Sequence, residues 1–297
     1  MFTKKKKENQ IVLKAIILFL CTLCILPTWL VFVASITQER ELATRGFRMM
    51  ASHFSLDGFR YIISFGSQIV QSYKITIYSV VVGTCLSLFV TSMAAYVISR
   101  KDFVFKTVIS VYFLFSMLMG GGMLATYIIM TNVWNMRNNL LVYVLPGAFS
   151  TMNCFIMRSF INGNIPNELI ESARIDGAGE WRIYWQMILP LMTPSLAAIG
   201  FMTAVGHWND WSTGYIYINQ ARKMTVQLLL MQLESNLNYL EANVSKLTPD
   251  QIELLTRTPV NSGRMAMLVT SILPMLIVYP FFQKYFIKGL TLGSMKG

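Results

Sequence analysis

The sequence predicts an all-α membrane protein, a bundle of six transmembrane helices. Three observations carry this. Of 297 residues, 54% are hydrophobic and 13% charged, with a mean hydropathy of +0.50, which makes a poor surface for water. Several uncharged apolar runs reach the ~20 residues a helix needs to cross a hydrocarbon core. No ten-residue alternating pattern of a membrane barrel occurs, so each run must satisfy its backbone internally as a helix.

Residues 1–14 form a basic N-terminus carrying Lys4 to Lys7, and the first span follows at about 15–37. A basic start before an apolar run resembles a signal peptide, but the run is too long and lacks a small-residue cleavage site, so it reads as an uncleaved anchor. Cys21 and Cys24 lie in that run with no His or carboxylate beside them, which favours apolar filler over a metal or redox pair. Residues 39–70 are an external segment in which Phe59 and Tyr61 mark an interfacial helix leading to the second span, about 72–99. Arg100, Lys101 and Lys106 then fill a very short connection. By the positive-inside rule this connection and the N-terminus lie in the cytoplasm, and six spans return the C-terminus there.

The third span, about 107–131, contains Gly120-Gly121-Gly122. Glycines in a membrane helix serve close helix packing or mark a break beside a cavity. The fourth span is expected at about 138–158, the fifth at 187–211 and the sixth at 264–284. Between the fifth and sixth lies an external loop, 217–263. Its stretch "TVQLLLMQLESNLNYLEANVSK" repeats apolar residues at helical spacing. In Thr248-Pro249-Asp250-Gln251 an N-cap, a first-turn proline and a capping-box glutamine start a second short helix, Pro249 to about Thr256. Such a structured loop suits a soluble partner or a lid on its own bundle.

The connection 168–190 interrupts this apolar chain with six charges between Glu168 and Pro194. Its spacing reads as two short helices meeting at an angle. Ile170, Ala173 and Arg174 share a face of the first, Gly177 can end it in the left-handed conformation, and Asp176 or Gly177 can cap the second. An angled pair carrying apolar and charged residues together fits docking into a groove of another protein. It equally fits a loop on the membrane interface anchored by Trp181 and Trp185.

Chemistry is sparse. No G-x-x-x-x-G-K-[ST] phosphate loop occurs, and the two histidines, His53 and His207, have no nucleophile or metal set beside them, so neither a catalytic nor a metal site is expected. An intramembrane protease would need a Ser-His, paired-Asp or His-Glu-x-x-His set within the spans. A secondary transporter would need intramembrane carboxylates, and the central windows are nearly free of acids. The basic residues cluster at segment ends, which argues for topology and against nucleic acid. In "GHWNDW", His207, Trp208, Asn209, Asp210 and Trp211 place polar groups beside aromatic faces late in the fifth span. That set suits a sugar in the translocation path, although tryptophan also belongs at the membrane interface.

The stretch "ESARIDGAGEWRIYWQMILP" resembles the EAA loop of ABC importer permeases, Glu-Ala-Ala, three residues, Gly, nine residues, Ile-x-Leu-Pro. Glu171, Ala173, Gly177, Leu189 and Pro190 match in place, while Ser172 and Met187 depart with small or apolar replacements. "FSLDGFRYIIS", "IPNELIESARIDGA" and the closing "KGLTLGSMKG" extend the resemblance over nearly the whole chain, toward the second permease of carbohydrate importers of the maltose type. The resemblance implies a type I ABC importer permease fold in a bacterial plasma membrane. It implies that Glu171, Ser172, Ala173, Asp176, Gly177, Ala178, Leu189 and Pro190 couple to a cytoplasmic ATPase, and that the tail Gly289, Leu290, Thr291 to Gly297 reaches toward it. It further implies a second, homologous permease in a heterodimer, two ATP-binding subunits, and an extracellular solute-binding protein facing residues 217–263. This chain would bind no cofactor, with ATP and magnesium held by the partner subunits, and would carry a carbohydrate, an oligosaccharide by expectation. A non-sugar solute is the alternative, and only the flanking motifs argue against it.

Overall fold

A computed structural model describes residues 2–244, 248–249, 251–253 and 258–294, and the side chains of residues 12–244, 248–249, 251–253 and 258–283 among them. No β-strand longer than an isolated bridge occurs among the described residues; the fold is helical. Among the described residues, three helices are long and apolar enough to cross a membrane by themselves. They are the Val12–Ser35 part of α1 (Phe2–Ser35), α4 (Gly66–Ser99), and the Val260–Gln283 part of α14 (Val260–Ser294).

The other expected spans are not straight helices. The third breaks at its glycines into α5 (Lys106–Leu118) and α6 (Gly122–Ile128), the latter extended by a π turn over Ile129–Val133, with a bend of 108°. A side chain on Gly120 or Gly122 would meet nothing within 4 Å, and Gly122 has φ +77°, so within this chain the triplet serves the break and not close packing. The window 138–158, expected as one helix, is instead a 3-10 turn, Leu140–Tyr143, a reversal through Pro146-Gly147, and the start of α7 (Thr151–Asn164). Asn139 caps the turn by accepting from the Leu141 N–H at 3.0 Å, and Ser150 caps α7 by accepting from Asn153 N–H at 3.4 Å. Two helix starts in a dozen residues leave no room for a continuous helix. The fifth window is likewise bent, by 77°, between Glu180–Leu191 and α11 (Thr193–Trp208).

The chain forms two compact units. The first comprises Met1–Ile69 and Leu230–Pro274. Here α2 (Glu39–Arg45) and α3 (Asp57–Ser64) fill the segment expected to hold an interfacial helix. Glu41 accepts from the N–H groups of Ser52 (3.2 Å) and His53 (2.9 Å), which folds the intervening loop back onto α2. Glu39 caps α14 from more than two hundred residues away. Its Oε1 accepts from Asn261 N–H (2.9 Å) and Nδ2 (2.8 Å), and its Oε2 from Ser262 N–H (2.8 Å) and Oγ (2.9 Å). Arg264 donates to Asn238 Oδ1 (2.5 Å) and Glu241 Oε2 (2.6 Å), tying α14 to α13 (Val226–Ala242), the helix read from the apolar spacing of the 217–263 loop. Thr248 N–H donates to Gln251 Oε1 at 3.0 Å, the glutamine half of the expected capping box, and Gln251 to Glu253 are helical; Thr256 lies outside the described residues.

The second unit comprises Val70–Leu229 and Met275–Gly297. Its core joins Ala95, Tyr96 and Ile98 of α4 to Cys154, Met157 and Ile161 of α7, and both to Ile170, Ala173, Ile183, Tyr184 and Ile188. Further along α4 the buried face carries small hydroxyls, among them Thr76, Ser79 and Ser92. Each meets a distant partner. Thr76 Oγ1 accepts from the N–H of Val226, the first residue of α13, at 2.9 Å, and the Ser92 and Tyr184 hydroxyls are 2.7 Å apart.

Candidate functional site

The angled helix pair is present, as α8 (Asn167–Ile175) and α9 (Glu180–Ile183). Alternation of burial along α8 follows its helical period. Ile170 and Ala173 are buried in the core, whereas Glu171, Ser172, Asp176 and Gly177 are exposed and Ala178 is half-buried. At the end of α8, Ile175 is left 87% exposed, one helical turn after the exposed Glu171 and Ser172.

The turn between the arms is a Schellman motif. Gly177 N–H donates to Arg174 O at 3.0 Å and Ala178 N–H to Ala173 O at 2.9 Å, with Gly177 at φ +80°. Only glycine takes that conformation without steric cost. The residue that caps α9 is Gly179, neither Asp176 nor Gly177, and no side chain caps it. A π turn, Tyr184–Ile188, continues α9 into α10 (Leu189–Leu191) just before Pro190, whose ring and missing N–H disfavour a regular α turn. Leu189 is half-buried and Pro190 exposed, while Trp181 and Trp185 are exposed.

A charged circuit fastens this pair to the end of α4. Arg174 donates through Nη1 to Asp102 Oδ2 at 2.6 Å, and through Nε (2.9 Å) and Nη2 to Glu180 Oε1. Asp102 also pairs with Arg100 at 3.2 Å, and Tyr96 Oη donates to Glu180 Oε2 at 2.5 Å. The hydrogen bond from Arg174 is the largest influence holding the Asp102 carboxyl below the usual carboxylate range, and the bond to Glu180 raises the Arg174 guanidinium in turn. Beside the circuit a cavity of about 200 Å³ opens between Met93, Tyr96 and Val97 of α4 and Glu180, Trp181 and Tyr184. No local spacing marks Asp102 or Tyr96 as partners of this pair, because both contacts span more than seventy residues. The six-residue spacing of Arg174 and Glu180 matches no helical period, and only the turn at Gly177 brings them together.

The five residues of the "GHWNDW" stretch do not converge on one point. His207 turns toward α4, its Nδ1 3.4 Å from Ser79 Oγ, in space left by Gly83, where a Cβ would come within 2.6 Å of the ring. Trp208 is buried and faces Tyr73, with ring centroids 6.2 Å apart. Asp210 caps α12 (Ser212–Tyr217), accepting from Ser212 Oγ and Thr213 N–H, both at 3.0 Å. Asn209 and Trp211 are exposed, the latter beside Tyr215. Of the tail, Gly289, Leu290 and Thr291 continue α14, with their side chains outside the described set, and Gly297 lies outside the described residues. Among the described residues no three His, Cys, Asp or Glu side chains gather as a metal cluster.

Comparison with known proteins places this geometry. Residues 12–292 match the family model described as binding-protein-dependent transport system inner membrane component. The chain is 32% identical over 293 residues to the polygalacturonan/rhamnogalacturonan transport system permease protein YtcP of Bacillus subtilis (strain 168), covering 99% of this chain and 100% of that one. It is 34% identical over 275 residues to Protein LplC of the same organism, covering 92% and 90%. The crystal structure of a bacterial ABC transporter involved in the import of the acidic polysaccharide alginate contains a chain that superposes with a TM-score of 0.79 at 25% identity, over 93% of this chain and 95% of that one. With a family model spanning nearly all of its length and several apolar helices, this chain belongs to the binding-protein-dependent transport system inner membrane components, and is a multi-pass permease of a bacterial cell membrane.

Proposed function

We propose that this chain is one permease subunit of an ATP-driven importer that takes up an oligosaccharide delivered by an extracellular solute-binding protein. Six crossings place both termini and the α8–α9 pair in the cytoplasm, where the pair docks on an ATPase subunit. A second, homologous permease completes the pathway, and two ATPase subunits hold the ATP and magnesium. The single observation that carries the docking role is the end of α8. Ile175 stands 87% exposed among the exposed Glu171, Ser172 and Asp176, on a helix whose other face is fixed in the core. An apolar anchor with a charged surround is what a protein groove recognises, the first for affinity and the second for register. Closure of the ATPases would move the pair as a rigid body, and the spans would expose the pathway alternately outside and inside.

The solute class is supported by the relatives. One is named for polygalacturonan and rhamnogalacturonan, others for arabinooligosaccharides and for melibiose, raffinose and stachyose, and the similar structure concerns alginate. Galacturonan and alginate are both polyanions, so within the class we favour an acidic oligosaccharide. The test is purification of the complex from its native membrane, followed by ATP hydrolysis in proteoliposomes with the binding protein and either oligogalacturonides or neutral arabino-oligosaccharides. Stimulation by the acidic set supports the narrower reading, stimulation by the neutral set alone removes it, and a chain that comes out with no ATPase removes the importer reading itself.

A further inference from the structure

The circuit around Arg174 has a topology that stability does not explain. Arg174, Asp102 and Glu180 keep 40%, 49% and 49% of their side-chain surface exposed, and ion pairs so open to solvent add little to folding. The α8–α9 pair is already held by Ile170, Ala173, Ile183 and Tyr184 in the core. What the circuit does is geometric. Arg174 and Glu180 stand on opposite sides of the Gly177 turn, so their bond fixes the angle between the arms. Each arm is then fastened separately to the same end of α4, the first through Asp102 in the turn after that helix, the second through Tyr96 within it. A planar guanidinium that satisfies two carboxylates at once fixes direction as well as distance.

We propose that Arg174 is a positioning residue that closes a strap between the α8–α9 pair and the end of α4, so that motion imposed on the pair is passed to α4 instead of being absorbed by flexure at Gly177. The strap rests on the docking role assigned to the pair above. It makes Arg174, Asp102 and Glu180 one functional unit, distinct from the docking residues Glu171 and Ile175, because its side chains are occupied within this chain. Removing any member opens the circuit while the apolar packing of both arms remains.

The test uses the complete complex with its partner permease and ATPase subunits. The chain's four cysteines are replaced by alanine and Ile77→Cys is introduced, an exposed position on α4 about five turns from Tyr96, the nearest strap residue. The rate of maleimide labelling at that cysteine is compared with and without ATP and vanadate, a readout that needs no knowledge of the solute. The expected result is an ATP-dependent change of about threefold or more in the parent, reduced to less than about half of that by Arg174→Gln, Asp102→Asn and Glu180→Gln alike, with ATPase subunits still co-purifying. Arg174→Lys should fall between, because an ammonium is a point charge and cannot fork to both carboxylates. If Arg174→Gln fails to assemble, the two isosteric carboxylate variants carry the test. A full response in these variants overturns the strap and leaves the importer reading standing, and so does a parent complex that holds its ATPases yet shows no response at α4. A parent chain that co-purifies with no ATPase overturns both.

Discussion

At Gly177, backbone chemistry and function make demands that can be separated. The residue sits at φ +80° with nothing within 4 Å of where a Cβ would be, so space does not restrict it and conformation alone does. Gly177→Val should therefore strain the turn by about 1–2 kcal/mol and re-aim α9, whereas Gly177→Asn should be mild because asparagine tolerates the left-handed region. Solute uptake by cells expressing each variant at equal level checks this; equal loss in both would mean that bulk and not backbone angle is what matters there. A second residue-scale expectation concerns pH. The folded-state pKa of Asp102 is depressed, so its contribution is whole above the unfolded value near 4 and fades only as pH falls through the lower folded value. The ratio of uptake to ATP hydrolysed should thus be flat between about pH 6 and 8 as far as this circuit is concerned, and a Asp102→Asn variant should leave whatever pH profile exists unchanged in shape.

At the scale of elements, Glu39 is the clearest long-range cap. The first turn of α14 has its N–H groups free by helix geometry, and two of them, with two side-chain groups, converge on one carboxylate. Glu39→Ala should cost about 1–2 kcal/mol and speed amide exchange at Asn261 and Ser262 selectively, while Glu39→Gln keeps one acceptor oxygen and loses less. Hydrogen exchange on the detergent-solubilised protein checks it, and uniform protection in Glu39→Ala would show the cap to be dispensable. No sequence rule could pair Glu39 with residues 261 and 262, since the separation is set by the fold. Local signals were far more legible. The Thr248–Gln251 capping interaction, α13 and the helix pair broken at Gly177 all follow from spacing and cap chemistry. By hydropathy the window 138–158 reads as one helix, but Asn139, Pro146-Gly147 and Ser150 are all helix-boundary residues written in the sequence, and they divide it. Composition reports what a segment can be buried in, and caps report where its helices begin.

At the scale of the whole molecule, the contacts of α4 bear on how many times the chain crosses the bilayer. Along α4, Tyr96 bonds Glu180, Ser92 meets Tyr184, Ser79 meets His207, and Thr76 accepts from Val226. From Tyr96 to Thr76 is about 30 Å at 1.5 Å per residue, the thickness of a hydrocarbon core. The bent segment Glu180–Trp208 meets α4 from Tyr96 at Glu180 to Ser79 at His207, about 26 Å along that helix, and we propose that it is one broken span. Asn138 is held at that far end, its N–H donating to Tyr217 O (3.0 Å) and its Oδ1 accepting from Asn219 N–H (2.7 Å). Asp102 is held at the near end by Arg174. On that proposal the chain crosses between 102 and 138 through the bent α5–α6 pair, and returns between 138 and 174. The return falls to α7 and the 3-10 turn before it, although the 14 residues of α7 reach only about 21 Å. Counted with the crossings proposed for α1, α4, Glu180–Trp208 and α14, this is the six-span topology proposed above, with both termini on one side. In a cysteine-free chain, Arg137→Cys should react with an impermeant maleimide from outside the cell and Ile175→Cys only after the membrane is opened. Labelling of both from the same face would reduce α5 to α7 to a re-entrant structure and the count to four, with the termini still together. Of the two labelled positions only 137, in the connection between α6 and α7, changes side between the two counts, which makes it the informative one to label.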